Sequence, residues 1–150
     1  MVKYVRTKSN HADFRYLIDL LDADLRERNG EVQTQYDPYN KIDYIDTVII
    51  AYLNTTAIGC GCFKKINEYT AEIKRMFVIP DQRGKGIAKG ILNELELWAK
   101  ELSYTTIILE TGKKQIEAIH VYKKAGYSVT ANYEPYIDMP DSICMKKNLV

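Results

Sequence analysis

The stretch 78–88 contains the residues whose types and spacing best suit a chemical role. An apolar run ends at a proline, and a turn with two glycines and two basic residues follows: Val78-Ile79-Pro80-Asp81-Gln82-Arg83-Gly84-Lys85-Gly86-Ile87-Ala88. Glycine permits positive φ and close approach of a ligand to the backbone. The first turn of a helix leaves its N–H groups unpaired at the positive end of the helix dipole. The stretch therefore predicts an anion site suited to phosphate.

Two familiar phosphate-binding patterns fit this turn poorly. A P-loop requires Gly-Lys followed by Ser or Thr, and no Gly-Lys pair of the chain is followed by either. A dinucleotide-binding fingerprint is a closer rival, because Gly84, Gly86 and Gly90 give G-x-G-x-x-x-G and Glu110 stands where a ribose-binding acid would lie. In that fold the strand runs directly into the first glycine, whereas residues 80–83 intervene here. The spacing favours another phosphate ligand.

A second motif further along the chain points to coenzyme A. The glycine turn fits R-x-x-G-x-A, and a later stretch fits A-x-x-x-Y-x-K-x-G-[FY]: Ala118-Ile119-His120-Val121-Tyr122-Lys123-Lys124-Ala125-Gly126-Tyr127. With both motifs in this order, the chain resembles the GNAT superfamily of N-acetyltransferases, in particular its bacterial-type single-domain members. The resemblance is close over residues 47–127, and the order of strands and helices fits over the whole length.

This resemblance implies a set of contacts to acetyl-CoA, used as cosubstrate without a metal. In similar proteins the pantetheine arm pairs with backbone groups, here those of Met76, Phe77 and Val78. Gln115, where many relatives have Asn, would hydrogen-bond the same arm. The pyrophosphate would lie on the amides of the glycine turn, which are those of Arg83, Gly84, Lys85, Gly86, Ile87 and Ala88.

The resemblance also implies catalytic roles, which have structural alternatives. Tyr122 matches the tyrosine that serves as general acid toward the coenzyme sulfur; the alternative is a core tyrosine. Glu72 matches a glutamate that acts as base in some members; the alternative is an ion pair with Arg75 or a nearby lysine. Glu110 or a chain of waters could serve as the base in place of Glu72. A base is needed because an unperturbed alkyl amine has a pKa of about 10.4.

Strand periodicity makes a further prediction about the residues near Glu72. If residues 70–78 form a regular strand, side chains alternate between the two faces of the sheet. Glu72, Lys74, Met76 and Val78 would then share one face. The base would stand on the same face as the acetyl site.

The elements that must position these residues follow from apolar periodicity. A first helix, capped by Ser9 or Asn10 and ended by Asn29-Gly30, has the apolar face Phe14, Leu17, Ile18, Leu21 and Leu25. A loop or short irregular helix is expected over 31–44. Strands are predicted at 3–6, 47–53, 57–65, 70–78, 105–109, 127–133 and 142–147, and further helices at 87–102 and 115–124.

These elements predict one mixed α/β (α+β) domain over residues 1–150. A strand–helix–strand unit with a right-handed crossover makes one pair of strands parallel. The remaining strands, joined by short turns, form an antiparallel meander. The resemblance adds that the parallel pair splays apart, within a twisted, mostly antiparallel sheet of six to seven strands with helices on both faces.

Composition limits the classes of partner that the chain is expected to bind. The net charge of +1 provides no broad field for nucleic acid or a membrane surface. Three cysteines, an odd number, favour a reducing compartment, and with no apolar signal core or membrane span the chain is expected in the cytoplasm. Cys60 and Cys62 are expected to be buried, because His11, His120 and Cys144 are too dispersed to complete a zinc site.

Two functions from different classes follow. The first is acetyl transfer to a primary amine of a small molecule or peptide, and the second is a non-catalytic acyl-CoA-binding or regulatory domain with the same fold. Dimerisation is common among similar proteins and is an expectation here.

Overall fold

A seven-stranded sheet organises the residues that the structure, a computed structural model, describes, namely 1–29 and 44–149. Its order is β1-β2-β3-β4-β5-β7-β6, and every neighbouring pair is antiparallel except the parallel pair β4–β5. The strands are β1 Val2–Thr7, β2 Val48–Leu53, β3 Thr56–Lys65, β4 Thr70–Val78, β5 Thr106–Gly112, β6 Ser128–Thr130 and β7 Ser142–Asn148. The predicted mixed sheet with one parallel pair is confirmed.

Helices cover both faces of this sheet, as predicted. They are α1 Ala12–Asn29, α2 Ile87–Glu101 and α3 Ile116–Lys124, and a single 3-10 turn, Pro80–Gln82, precedes α2. One core packs α1 against the sheet through Phe14, Leu17, Leu21, Leu25, Cys60, Cys62 and Phe77. The other packs α2 and α3 on the opposite face through residues that include Ile91, Leu95, Ile107, Leu109 and Tyr122.

Several predicted boundaries need correction. Helix α1 begins at Ala12, so the cap predicted at Ser9 or Asn10 is too early; His11 precedes the helix, and its Nδ1 accepts a hydrogen bond from the Asp13 N–H at 3.1 Å. The strand predicted over 127–133 is reduced to the three residues of β6. The segment predicted over 31–44 lies outside the described residues except at Tyr44. No helix in the described part of the chain could cross a membrane.

The parallel pair β4–β5 separates after four residue pairs. Pairing runs from Thr70 with Thr106 to Ile73 with Leu109 and then stops, although β4 continues to Val78 and β5 to Gly112. The two strands therefore leave a gap between the last residues of β4 and the last residues of β5, as the expected splay requires.

A β-bulge in β4 reverses which face its side chains occupy. Cys62 pairs with Lys74 and Cys60 with Phe77, so Arg75 and Met76 both stand opposite Gly61. Arg75 adopts φ +59°, which is unusual for a residue other than glycine.

The prediction that Glu72, Lys74, Met76 and Val78 share one face is therefore wrong. Lys74 lies on the α1 face with its partner Cys62, and Glu72 lies on that face too. Met76 and Val78 pack in the core of the α2 face. An inserted residue changes the alternation, and the sequence pattern assumed that none was inserted.

Candidate active site

The glycine turn presents backbone N–H groups at the start of α2. Gly84 and Gly86 adopt φ +78° and +81°, and a Cβ added at either residue would meet nothing within 4 Å. Gly86 caps α2, and the N–H of Gly90 donates to its carbonyl at 3.0 Å. The amides of Ile87, Ala88 and Lys89 precede this first helical hydrogen bond. The N–H of Arg83, also predicted to contact the phosphate, instead donates to the Pro80 carbonyl at 3.3 Å. The free N–H groups at the start of α2 have the arrangement that an anion site requires.

The side chain of Arg83 packs back onto β4. Its Nε donates to the Val78 carbonyl at 2.8 Å, and its guanidinium carbon lies 5.6 Å from the centre of the Phe77 ring. One terminal nitrogen is 3.7 Å from the Asp24 carboxylate. Arg83 therefore ties the glycine turn to the end of the strand. The Lys85 side chain, in contrast, is exposed, and its Nζ donates to the Gln82 side chain at 3.2 Å.

The last residues of β4 turn their backbone groups toward the gap. The Ile79 N–H donates to Ile58 of β3 at 2.9 Å. Backbone groups of successive strand residues point to opposite edges, so the N–H groups of Val78 and Met76 point away from β3. Those are the groups that the family resemblance assigned to the pantetheine arm. Phe77 lies between them, with its side chain buried on the α1 face.

Tyr122 is buried in the core of the α2 face, and its ring makes an edge contact with that of Tyr127, with ring centres 6.0 Å apart. Burial raises the pKa of the Tyr122 hydroxyl, and the neighbouring charge of Glu110 raises it further. Tyr122 is therefore a neutral hydroxyl donor at neutral pH. Gln115 immediately precedes α3, and its carbonyl accepts from Ile119 at 3.1 Å.

Glu72 belongs to a polar cluster on the α1 face. Its carboxylate accepts from the Tyr133 hydroxyl at 2.7 Å, and it lies 3.6 Å from Lys74 Nζ and 3.9 Å from Lys64 Nζ. The Glu72 and Lys74 side chains are only 5% and 8% exposed. The ion pair considered as the alternative for Glu72 is therefore present, formed with lysines.

Arg75, the other partner considered for Glu72, pairs instead with Asp22 of α1. Its side chain is 5% exposed, and its Nε is buried with no hydrogen-bond partner among residues 1–29 and 44–149. Arg75 thus holds the bulge against α1.

Glu110 lies immediately after the point where β4 and β5 separate, since parallel pairing ends one residue earlier at Leu109. It accepts from the Ser142 hydroxyl at 2.7 Å. Burial raises the pKa of Glu110, and the Ser142 hydrogen bond and the Lys74 charge only partly oppose this. Glu110 interacts electrostatically both with Tyr122 and with the Glu72–Lys74 pair.

Sequence reasoning missed some members of this site. Ser142 was not assigned a role, and it joins the site only through the pairing of β7 with β5. Tyr133 and Tyr136 also lie beside the cluster, where Lys74 Nζ donates to the Tyr136 hydroxyl at 3.4 Å. Their position in a polar, tyrosine-containing loop was the one available signal.

The cysteines are buried free thiols, as predicted for Cys60 and Cys62. Burial raises the pKa of Cys62 to about 12 and raises that of Cys60 as well. Both are therefore protonated and poorly nucleophilic at neutral pH. In the part of the chain that the structure describes, no three His, Cys, Asp or Glu side chains form a group able to hold a metal.

Comparison with known proteins identifies the class to which this fold and site belong. Residues 14–127 match the family model described as acetyltransferase (GNAT) family. The chain therefore belongs to the acetyltransferase (GNAT) family.

Individual relatives agree with this assignment. The chain is 32% identical over 136 residues to a protein of Azospirillum brasilense named IAA acetyltransferase, a match covering 90% of the chain and 84% of the relative. Among solved structures, a Klebsiella pneumoniae protein described as an acyl-CoA N-acyltransferase is 28% identical, with a TM-score of 0.80 and coverage of 100% and 97%. A GNAT acetyltransferase of Elizabethkingia anophelis, solved with acetyl-CoA bound, shares the fold at 19% identity, with a TM-score of 0.70 and coverage of 98% and 97%.

Proposed function

We propose that this protein transfers an acetyl group from acetyl-CoA to a primary amine of a small molecule or peptide. The observation that carries the proposal is the gap that opens after Ile73 and Leu109. The glycine turn follows one side of the gap, Tyr122 lies on the α2 face and Glu110 stands at its origin. Family membership supports the same reaction class.

Acetyl-CoA fits the residues on the donor side. The positive φ angles of Gly84 and Gly86 and the open space around them leave the amides of the turn accessible to a pyrophosphate. The backbone of residues 76–78 and the side chain of Gln115 would hold the pantetheine arm. When bound, acetyl-CoA supplies an activated acetyl thioester. The Val78 N–H would stabilise the charge that develops on the carbonyl oxygen.

Tyr122 would act as the general acid. A tyrosine with an ordinary pKa of about 10 already keeps its proton at neutral pH, and burial and Glu110 raise the pKa of Tyr122 further. It can therefore donate to the departing thiolate, whose charge a buried site would otherwise leave uncompensated.

Glu110 is better suited than Glu72 to accept the proton of the incoming ammonium group. Glu72 already accepts from Tyr133 and lies close to Lys74. Glu110 has the Ser142 hydroxyl as its hydrogen-bond donor, and its raised pKa favours proton uptake. Glu72 would instead hold Tyr133 and Lys74 in place on the acceptor side.

A thiol-release assay with a panel of primary amines tests the proposed reaction. With an amine that is turned over, Tyr122→Phe and Glu110→Gln should each lower kcat by about 10²-fold or more while acetyl-CoA still binds. Glu72→Gln should have a smaller effect on kcat. Tyr69→Phe is a matched control, because Tyr69 is 60% exposed in the β3–β4 turn.

The results separate the two classes of function. Tight acetyl-CoA binding without thiol release on any amine would favour a non-catalytic acyl-CoA-binding domain. Full turnover by Tyr122→Phe would remove Tyr122 as the acid, and full turnover by Glu110→Gln would remove Glu110 as the base.

A further inference from the structure

Three polar side chains meet at the far end of α3 and connect three separate elements. Glu96 of α2 accepts from the Tyr127 hydroxyl at 2.9 Å through one carboxylate oxygen. Its other oxygen accepts from Lys147 Nζ of β7 at 2.7 Å. Glu96 is only 9% exposed, on the helix face that otherwise packs apolar side chains. We refer to Glu96, Tyr127 and Lys147 as the Glu96 cluster.

Lys147 also binds the end of α3 directly. Its Nζ donates to the carbonyl of Ala125, the C-cap residue, at 2.7 Å. A cation at this position compensates the unpaired carbonyls and the negative end of the helix dipole. The next residue, Gly126, has φ +99°, and a Cβ there would lie 3.4 Å from the Lys147 side chain. Glycine at this position therefore suits both the turn of the chain and the approach of Lys147.

The residues held by the Glu96 cluster are bonded to Tyr122. The N–H groups of Ala125 and Tyr127 both donate to the Tyr122 carbonyl, at 3.1 and 3.0 Å. The Tyr127 ring packs edge-on against the Tyr122 ring. Tyr127 thus contacts Glu96 at its hydroxyl, and Tyr122 at both its ring and its backbone.

We propose that the Glu96 cluster positions Tyr122 for proton transfer, an inference that rests on the proposed function. Glu96 lies on α2, which starts at the glycine turn, whereas Tyr122 lies on α3. The cluster therefore joins the element that would bind the pyrophosphate to the element that carries the acid. A buried ion pair is seldom more stabilising than an apolar pair of the same volume, but its hydrogen bonds impose direction. Directional hydrogen bonds at both Glu96 oxygens hold α3 at a fixed distance from α2 and in a fixed rotation relative to it.

The test is kinetic and uses Tyr127→Phe, which removes one hydroxyl and keeps the ring. We expect kcat to fall about tenfold, because small misplacement of a catalytic group is costly, while KM for acetyl-CoA changes less than about twofold. Lys147→Met should also lower kcat. Lys146→Met is the matched control, since the neighbouring Lys146 is exposed. Urea unfolding confirms that each variant is folded under assay conditions.

A double-mutant cycle decides whether the effect passes through Tyr122. If it does, Tyr127→Phe should cause no further loss of kcat in the Tyr122→Phe background. Equal losses of kcat in both backgrounds, or a wild-type kcat in Tyr127→Phe, would overturn this inference alone. Full turnover by Tyr122→Phe would instead reject the proposed acid, and the positioning role with it.

Discussion

Replacing Gly86 by alanine tests whether the glycine turn holds the pyrophosphate of acetyl-CoA. Gly86 adopts φ +81° at the cap of α2. A left-handed conformation costs a residue with a Cβ about 1–2 kcal/mol. An added Cβ would meet nothing within 4 Å, so strain is the main effect on the free protein. The free energy of unfolding should fall by about 1–2 kcal/mol, which lowers Tm by about 2–8 °C in a domain of this size.

Acetyl-CoA should enlarge the difference in the free energy of unfolding between Gly86→Ala and the wild type. The variant can relieve its strain by rotating the turn, and rotation would misalign at least one amide. A hydrogen bond to a charged group contributes about 1.5–3 kcal/mol, so Kd should rise by about ten- to a hundredfold. Binding stabilises the folded state in proportion to the logarithm of the affinity. With saturating acetyl-CoA, Gly86→Ala should therefore be about 2.5–5 kcal/mol less stable than the wild type.

Urea unfolding with and without acetyl-CoA measures both quantities, and Gly126→Ala provides the matched control. Gly126 also has a positive φ, of +99°, but it follows the C-terminal end of α3, where it lies against Lys147. Without acetyl-CoA, Gly126→Ala should lose about as much free energy of unfolding as Gly86→Ala. Acetyl-CoA should then stabilise Gly126→Ala by the same amount as it stabilises the wild type. If Gly86→Ala also gained the full wild-type increment, the turn would not be the pyrophosphate site.

Two further predictions concern stability. Gly59→Ala should destabilise the protein by more than 1 kcal/mol, because the new Cβ would lie 2.9 Å from a backbone carbonyl oxygen of β4; a wild-type urea midpoint would contradict this. Glu110→Gln should remove a pH-dependent loss of stability. Because the pKa of Glu110 is raised, the folded state retains this proton longer than the unfolded state, and stability falls as pH rises from about 4.3 through the folded pKa. In urea titrations the wild type should thus lose stability relative to Glu110→Gln as pH rises above about 4.3, and parallel profiles would contradict the assignment.

Apolar periodicity predicted the architecture because each element buries one face. Helix α2, predicted over 87–102, buries Ile87, Ile91, Leu95 and Ala99, whereas Leu102 lies just beyond the helix and is 51% exposed. Periodicity identifies which residues share a face and is less informative about where an element ends. The shortened β6 and the displaced start of α1 are errors of this second kind.

The bulge at Arg75 could not be predicted from the pattern. Positive φ in a strand is usually marked by glycine, and arginine carries no such signal. A bulge depends on the register between β3 and β4 and on the ion pair of Arg75 with Asp22 of α1. Both contacts join residues that are distant in sequence. Only the tertiary structure therefore showed that Glu72 and Met76 lie on opposite faces of the sheet.

The sequence alone was enough to predict the donor side that we propose for this protein. The glycine turn is a local feature, because positive φ and a fresh helix start are encoded within a few residues, and the motif around Tyr122 is equally local. The tertiary structure decided the rest. It placed Glu110 at the origin of the gap, paired Glu72 with Lys74 and joined Glu96 to Lys147. Strand register and packing between helices depend on the whole chain, so no single segment could specify them.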